Sequence, residues 1–199
     1  IAYVSYWLTS EVSEKKRLLD ECWKITKEVL RAFKEAGDAL ECGKTYNQLS
    51  ISAGLGFALE ENFQVRENTT KEAVEHGEQA IKFLSTCRDS HELARAYVNT
   101  ASFLGLFGYF FHDLDGREKY FQKARDYWQK ANELSEEVAF LELFSGMEPF
   151  SLDWGWGTDK AQKNLEKALE HARRTRDRFR VGYALESLAA HAFWGAEVE

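Results

Sequence analysis

The chain has 199 residues, of which 30% are charged and 44% hydrophobic, and carries a net charge of −7. That balance is ample for a core and fits one domain or one array, and it argues against a general nucleic-acid binder, which needs a basic face. With 1 proline, nearly every segment is free to be helix, and Lys, Glu, Ala, Leu and Arg are abundant.

Three helical segments align at a fixed period: Ser13 to Asp38, Gln64 to Asp89 and Asp115 to Leu134. Cys22, Ala73 and Ala124 fall 51 apart, as do Val29, Ala80 and Ala131. Thr26, Gly77 or Trp128 stands between the members of each pair. "VLRAFKEAGD", "AIKFLSTCRD" and, much later, "ALEHARRTRD" each end on an aspartate, and a second helix is expected after Asp38, Asp89 and Asp177. Its eighth residue is Tyr46, Tyr97 or Leu185, and its twelfth is Ser50, Ala101 or Ala189. Small residues at such positions let helices approach to ~8–10 Å. The aspartate can close one helix and cap the next. One hairpin cannot bury both of its apolar faces, so neighbours must stack.

The most apolar run, Ala101 to Phe111, reads as the first helix of such a hairpin, with Gly105 and Gly108 allowing close approach. A spanning helix needs ~20 apolar residues, so the run is core rather than membrane. Its counterpart is Ser50 to Leu59, with Gly54 and Gly56 at nearby places. Hairpin boundaries are expected near residues 38, 89, 135 and 177 of a single array over 1–199. Ile1 to Leu8 corresponds to Ser52 to Leu59, and the last segment is a first helix without its second. The chain therefore reads as a fragment of a longer protein.

"KALEHARRTRDRFRVGYALESLA", Lys167 to Ala189, resembles tetratricopeptide repeats of the long subclass, with units of roughly forty residues. The glycine–aspartate close of that subclass stands here as "AGD" at Ala36 to Asp38. The first two hairpins carry about eleven extra residues, which either lengthen the helices or add a loop, and Glu136 to Asp159 matches no copy well. The resemblance implies an all-α fold, a right-handed superhelical stack of antiparallel helix-turn-helix hairpins. It also implies a concave groove lined by the first helices, carried over to Lys44, Asn47, Gln48 and Ile51, then Arg95, Val98, Asn99 and Ser102. The last copy gives Tyr183, Glu186, Ser187 and Ala190.

Lys44, Asn47, Gln48, Arg95 and Asn99 form the candidate peptide-binding groove. Amides satisfy peptide N–H and C=O groups, while Lys and Arg bind acids with charge-assisted bonds. An ordinary solvated helix face has the same composition. Trp154 and Trp156, in "FSLDWGWGTD", either plug an irregular hairpin or form an aromatic lip for a partner. The arginines Arg173, Arg174, Arg176, Arg178 and Arg180 either complement a helix C-terminus or contact nucleic acid or an acidic partner, the latter limited by the negative net charge.

Catalysis and cofactors are not expected. "HELAR" at His91 to Arg95 lacks the second histidine of HExxH, and Cys87 and His91 sit where a helix should break. The other histidines, His76, His112, His171 and His191, are scattered surface or interhelical residues. Cys22, Cys42 and Cys87 form no CxxC pair, and no charged-then-apolar leader opens the chain, which suits reduced thiols in the cytoplasm. The expectation is a non-catalytic scaffold for a protein or peptide, with acidic partners favoured by Lys44 and Arg95. Two other readings stay open. One is a regulatory or ligand-sensing segment of a signalling ATPase or transcription regulator. The other is a structural module that self-associates through end helices bearing Leu185, Leu188, Phe193 and Trp194.

Overall fold

The computed structural model describes residues 9–108, 110, 114–134, 159–174, 176 and 178–195, and among these every regular element is an α-helix. In chain order they are α1 Val12–Ala36, α2 Ala39–Leu59, α3 Phe63–Leu84, α4 Ser90–Gly108, α5 Leu114–Leu134, α6 Asp159–Arg174 and α7 Arg178–Gly195. The chain forms two compact units, Ile1–Tyr127 and Trp128–Glu199, divided inside α5.

The turns follow from the aspartates. α1 stops at Gly37, whose φ of 71° suits a residue without Cβ. The Asp38 N–H then closes α1 by bonding the Phe33 carbonyl at 3.0 Å, and its carboxylate accepts the Glu41 N–H at 3.1 Å to cap α2. One residue ends a helix and starts the next. Asp89 caps α4 in the same way, accepting the Glu92 N–H at 3.0 Å. No glycine precedes it. Instead Ser85 and Thr86 hydroxyls donate to the Lys82 and Phe83 carbonyls that α3 leaves open.

The extra residues of the first two hairpins lengthen the helices. α2 and α3 run 21 and 22 residues, and the link between them is only Glu60 to Asn62, with Asn62 capping α3 through Val65 N–H at 3.1 Å.

Within the first unit, α2 packs on α1 and α3, and α4 packs on α3 and α2. Side chains join α1 to α3 (Trp23 on His76, ring centroids 5.4 Å) and α3 to α5 (the Lys123–Glu78 ion pair). The close seams among α2, α3, α4 and α5 use missing side chains. A Cβ at Gly43 would lie 2.5 Å from Leu84, and one at Gly108 would lie 2.8 Å from the Phe121 ring. Gly54 and Gly77 are likewise occupied by Phe103 and Thr100. The repeating small residues sit as the 51-residue period places them, with Ala73, Ala80, Ala124 and Ala131 all buried. Val29, their counterpart on α1, is instead 38% exposed, and Cys22 is half-buried. The reason is positional: α2 precedes and covers α3, as in the 2.7 Å bond from Ser50 Oγ to the Ala73 carbonyl, whereas no described helix precedes α1.

The apolar run is helix through Gly108, short of Phe111, and Phe110 turns back with its N–H on the Phe107 carbonyl. Ala101, Leu104, Gly105, Phe107 and Gly108 are buried. Phe107 meets Tyr120 of α5 edge-on at 5.0 Å, so the run lies between α3 and α5 as core. Among the described residues, no helix is long and apolar enough to cross a membrane.

In the second unit, α6 and α7 pack as a hairpin around Leu165, Ala168, Leu169 and Ala184, with Val181 and Leu188 against them. Leu185 is 45% exposed, and Arg173, Arg174, Arg176 and Arg178 are exposed around the turn. Arg176 holds a φ of 58° at the place that Gly37 occupies in the first copy. Ile1 to Leu8, the poorly matching stretch from Glu136 to Thr158 with Trp154 and Trp156, and Asp177 lie outside the described residues. So do His112 and the side chains of His171, Arg180, Tyr183, Ala190, His191, Phe193 and Trp194.

Candidate peptide-binding face

The five groove residues sit on two helices that touch. Lys44, Asn47 and Gln48 lie on α2, and Arg95 and Asn99 on α4. The contact between them is a hydrogen bond from Asn99 Nδ2 to Asn47 Oδ1 at 2.9 Å. Both amides are buried, Asn47 at 3% exposure and Asn99 at 8%. They therefore form the seam between α2 and α4 and fix the register of one helix on the other. A buried amide left unpaired would lose about 1–3 kcal/mol, so the match is strongly specified. The carry-over from the resemblance put both residues in the groove. It could not separate an amide in a seam from one beside it, because the two positions are one residue apart on the same helix.

Lys44 and Arg95 are partly exposed and hold equivalent positions. Each has a carboxylate one turn back on its own helix: Lys44 Nζ donates to Glu41 at 2.8 Å, and an Arg95 guanidinium N–H donates to Glu92 at 2.8 Å. The same order recurs 51 residues apart, a capping aspartate (Asp38, Asp89), a glutamate (Glu41, Glu92) and a cation (Lys44, Arg95). The Glu41 hydrogen bond raises the Lys44 pKa above its ordinary value against partial desolvation, and the charges of Glu41, of Glu92 on α4 and of the α4 cap Asp89 add to it. The two helix starts thus form one surface of alternating sign. Glu41 and Glu92 are functional candidates that the carry-over missed, although i,i+3 spacing in "ECGK" and "ELAR" carried the signal.

Gln48 is half-buried, with Nε2 reaching Ser52 Oγ at 3.5 Å. Val98 is buried and Ile51 half-buried, and Ser102 Oγ donates to the Val98 carbonyl at 3.0 Å. Those three positions serve packing. In the separate α6–α7 unit, Glu186 is exposed and Ser187 buried. The Cys87 thiol donates to the Phe83 carbonyl at 3.5 Å, and exposed His91 lies 3.8 Å from Glu92.

His76 is interhelical. It lies against Trp23 of α1 and Tyr46 of α2, whose ring stacks on Phe83 at 5.6 Å. Burial pushes its pKa down; the Glu72 carboxylate, 3.7 Å away, pulls it up and the Lys27 charge pushes it down further. Its Nε2 is buried without a hydrogen bond.

No protein-family model matches this chain, and a search of curated proteins finds no significant match.

Proposed function

We propose that the chain is a non-catalytic scaffold that binds a protein or peptide segment across the starts of α2 and α4. The observation that carries this reading is the repeated pair of ionic groups, Glu41–Lys44 and Glu92–Arg95, flanking the Asn47–Asn99 seam. A solvated helix needs no such repetition on a neighbour whose register a buried amide pair fixes. Acidic side chains of a partner reach Lys44 and Arg95 by exchanging with Glu41 and Glu92. Each exchange replaces one carboxylate by another, so the gain per contact is small and falls with added salt. Binding of this kind is weak for one contact and selective only when both cations are engaged.

The test is a displayed peptide library selected against the full chain, followed by mapping of a selected peptide by amide chemical shifts. The expected result is that shifts concentrate at residues 41–48 and 92–99, that acidic peptides dominate, and that Lys44→Glu with Arg95→Glu removes binding while helical content stays unchanged. Peptides that bind the double variant as well as the parent chain would end this proposal.

A further inference from the structure

A second concave site, sharing no residue with the α2–α4 face, opens between α1, α2 and α3. It is a cleft of about 380 Å³, within the range of ligand pockets. Its floor is apolar and made by Leu19 and Trp23 of α1 with Ala53, Gly56 and Leu59 of α2. The space exists because α2 presents small residues there. A Cβ built at Gly56 would meet only Thr69 Cγ2, at 3.4 Å, in contrast to the filled positions at Gly43, Gly54 and Gly77. The rim is charged and unbalanced. Asp20, Glu60 and Glu72 outnumber the two nearby cations, Lys16, which lies 3.5 Å from Glu60, and Lys27, whose Nζ lies 4.6 Å from the Trp23 ring centroid. Glu60 is further held by the Glu61 and Asn62 N–H groups, and one Glu72 oxygen lies 3.7 Å from His76 Nε2, while Asp20 has no ion-pair partner among the described residues.

We propose that this cleft binds a small organic amine, a primary ammonium on an apolar body. An apolar floor beneath an excess of carboxylates fits a ligand with one cationic end and a hydrophobic remainder, since the half-buried Trp23 ring and aliphatic carbons give that remainder an apolar surface. The carboxylates stand apart around the rim. Among the described residues, no His, Cys, Asp and Glu group of three is placed to hold a metal ion, so the charge suits a bulky cation that reaches one carboxylate at a time. Asp20 and Glu72 supply that contact, and Trp23 supplies the wall.

The experiment titrates the full chain with 2-phenylethylammonium by calorimetry, with 2-phenylethanol and 3-phenylpropionate as neutral and anionic counterparts. The expected result is saturable one-to-one binding of the amine, weaker binding of the alcohol and none of the acid. Asp20→Asn with Glu72→Gln should weaken the amine about tenfold or more. Gly56→Leu should fill the cleft and abolish binding in a chain whose circular dichroism and melting are those of the parent. If Gly56→Leu unfolds the chain, the neutralised double variant and the three-probe ranking still decide. Equal binding of the acid, no saturation by the amine, or an unchanged affinity in the double variant overturns the proposal. Tighter binding of Nα-acetyl-lysine methylamide than of the free amine also overturns it, because the occupant is then a basic side chain of a partner protein.

Discussion

Gly77 and Gly56 are the same residue type in adjacent helices, and the space around them gives them opposite prospects. At Gly77 a methyl group would run into Thr100, which is fully buried and donates from Oγ1 to the Ala96 carbonyl at 2.6 Å. Overpacking of that kind loses ~1–3 kcal/mol, more than the ~0.5–1 kcal/mol that alanine gains in a helix interior. Gly77→Ala should therefore destabilise, whereas Gly56→Ala, whose Cβ meets only Thr69 Cγ2 at van der Waals distance, 3.4 Å, should stabilise by ~0.5–1 kcal/mol. Urea midpoints at constant slope measure both, and a shared sign would mean that the packing at one of them is misassigned. His76 gives a pH-dependent counterpart. Its native pKa lies below the ordinary imidazole value of 6.5 because of burial, so the unfolded chain takes up the proton first. Its stabilising effect is complete above pH 6.5 and is lost as pH falls toward the depressed native value. His76→Phe keeps a ring against Trp23 and Tyr46 and removes the titration. Its stability should fall less steeply than that of the parent chain below pH 6.5, and parallel curves would show that His76 is not the source.

At the scale of the helix, the capping residues were the most legible part of the sequence. An aspartate nine residues after the second small position predicted where α2, α4 and α7 begin, and at α2 and α4 that aspartate is the cap, because capping is local chemistry that spacing alone can report. Asp38→Ala removes the cap on the Glu41 N–H and should lower stability by about 1 kcal/mol, read from the same denaturation curves. The α2–α4 seam was legible only in part. Helical spacing placed Asn47 and Asn99 on facing helices, yet their mutual bond depends on how two helices settle against each other, which no single-helix count contains. The amine cleft was invisible for a related reason. Its residues come from three helices, and its volume arises from side chains that are absent, at Gly56 and Ala53. Arg176 is the converse case, a local strain visible only in the backbone. Its φ of 58° places an arginine where a Cβ crowds the following carbonyl, while Gly37 fills the same place in the first copy. Arg176→Gly relieves that crowding and loses some of the gain to a freer unfolded chain, for a net stabilisation of about 0.5–1 kcal/mol of the α6–α7 hairpin.

The division at residues 127 and 128 turns these single substitutions into a test of the whole molecule. The first unit buries Leu49, Leu84, Leu104 and Phe121 among successive helices, so opening any one of them exposes the faces of its neighbours. The described core of the second unit is the smaller set around Leu165, Ala168, Leu169 and Ala184. Segments with fewer buried apolar contacts open at lower free energy. Native-state hydrogen exchange in rising denaturant should therefore release α6 and α7 amides before those of α2, α3 and α4. Gly56→Ala and Arg176→Gly then act as local reporters. If the units open independently, Gly56→Ala raises the opening free energy of α1–α4 alone, and Arg176→Gly raises that of α6–α7 alone. Both substitutions raising both sets equally would show a single cooperative unit, with the boundary in α5 geometric but not energetic.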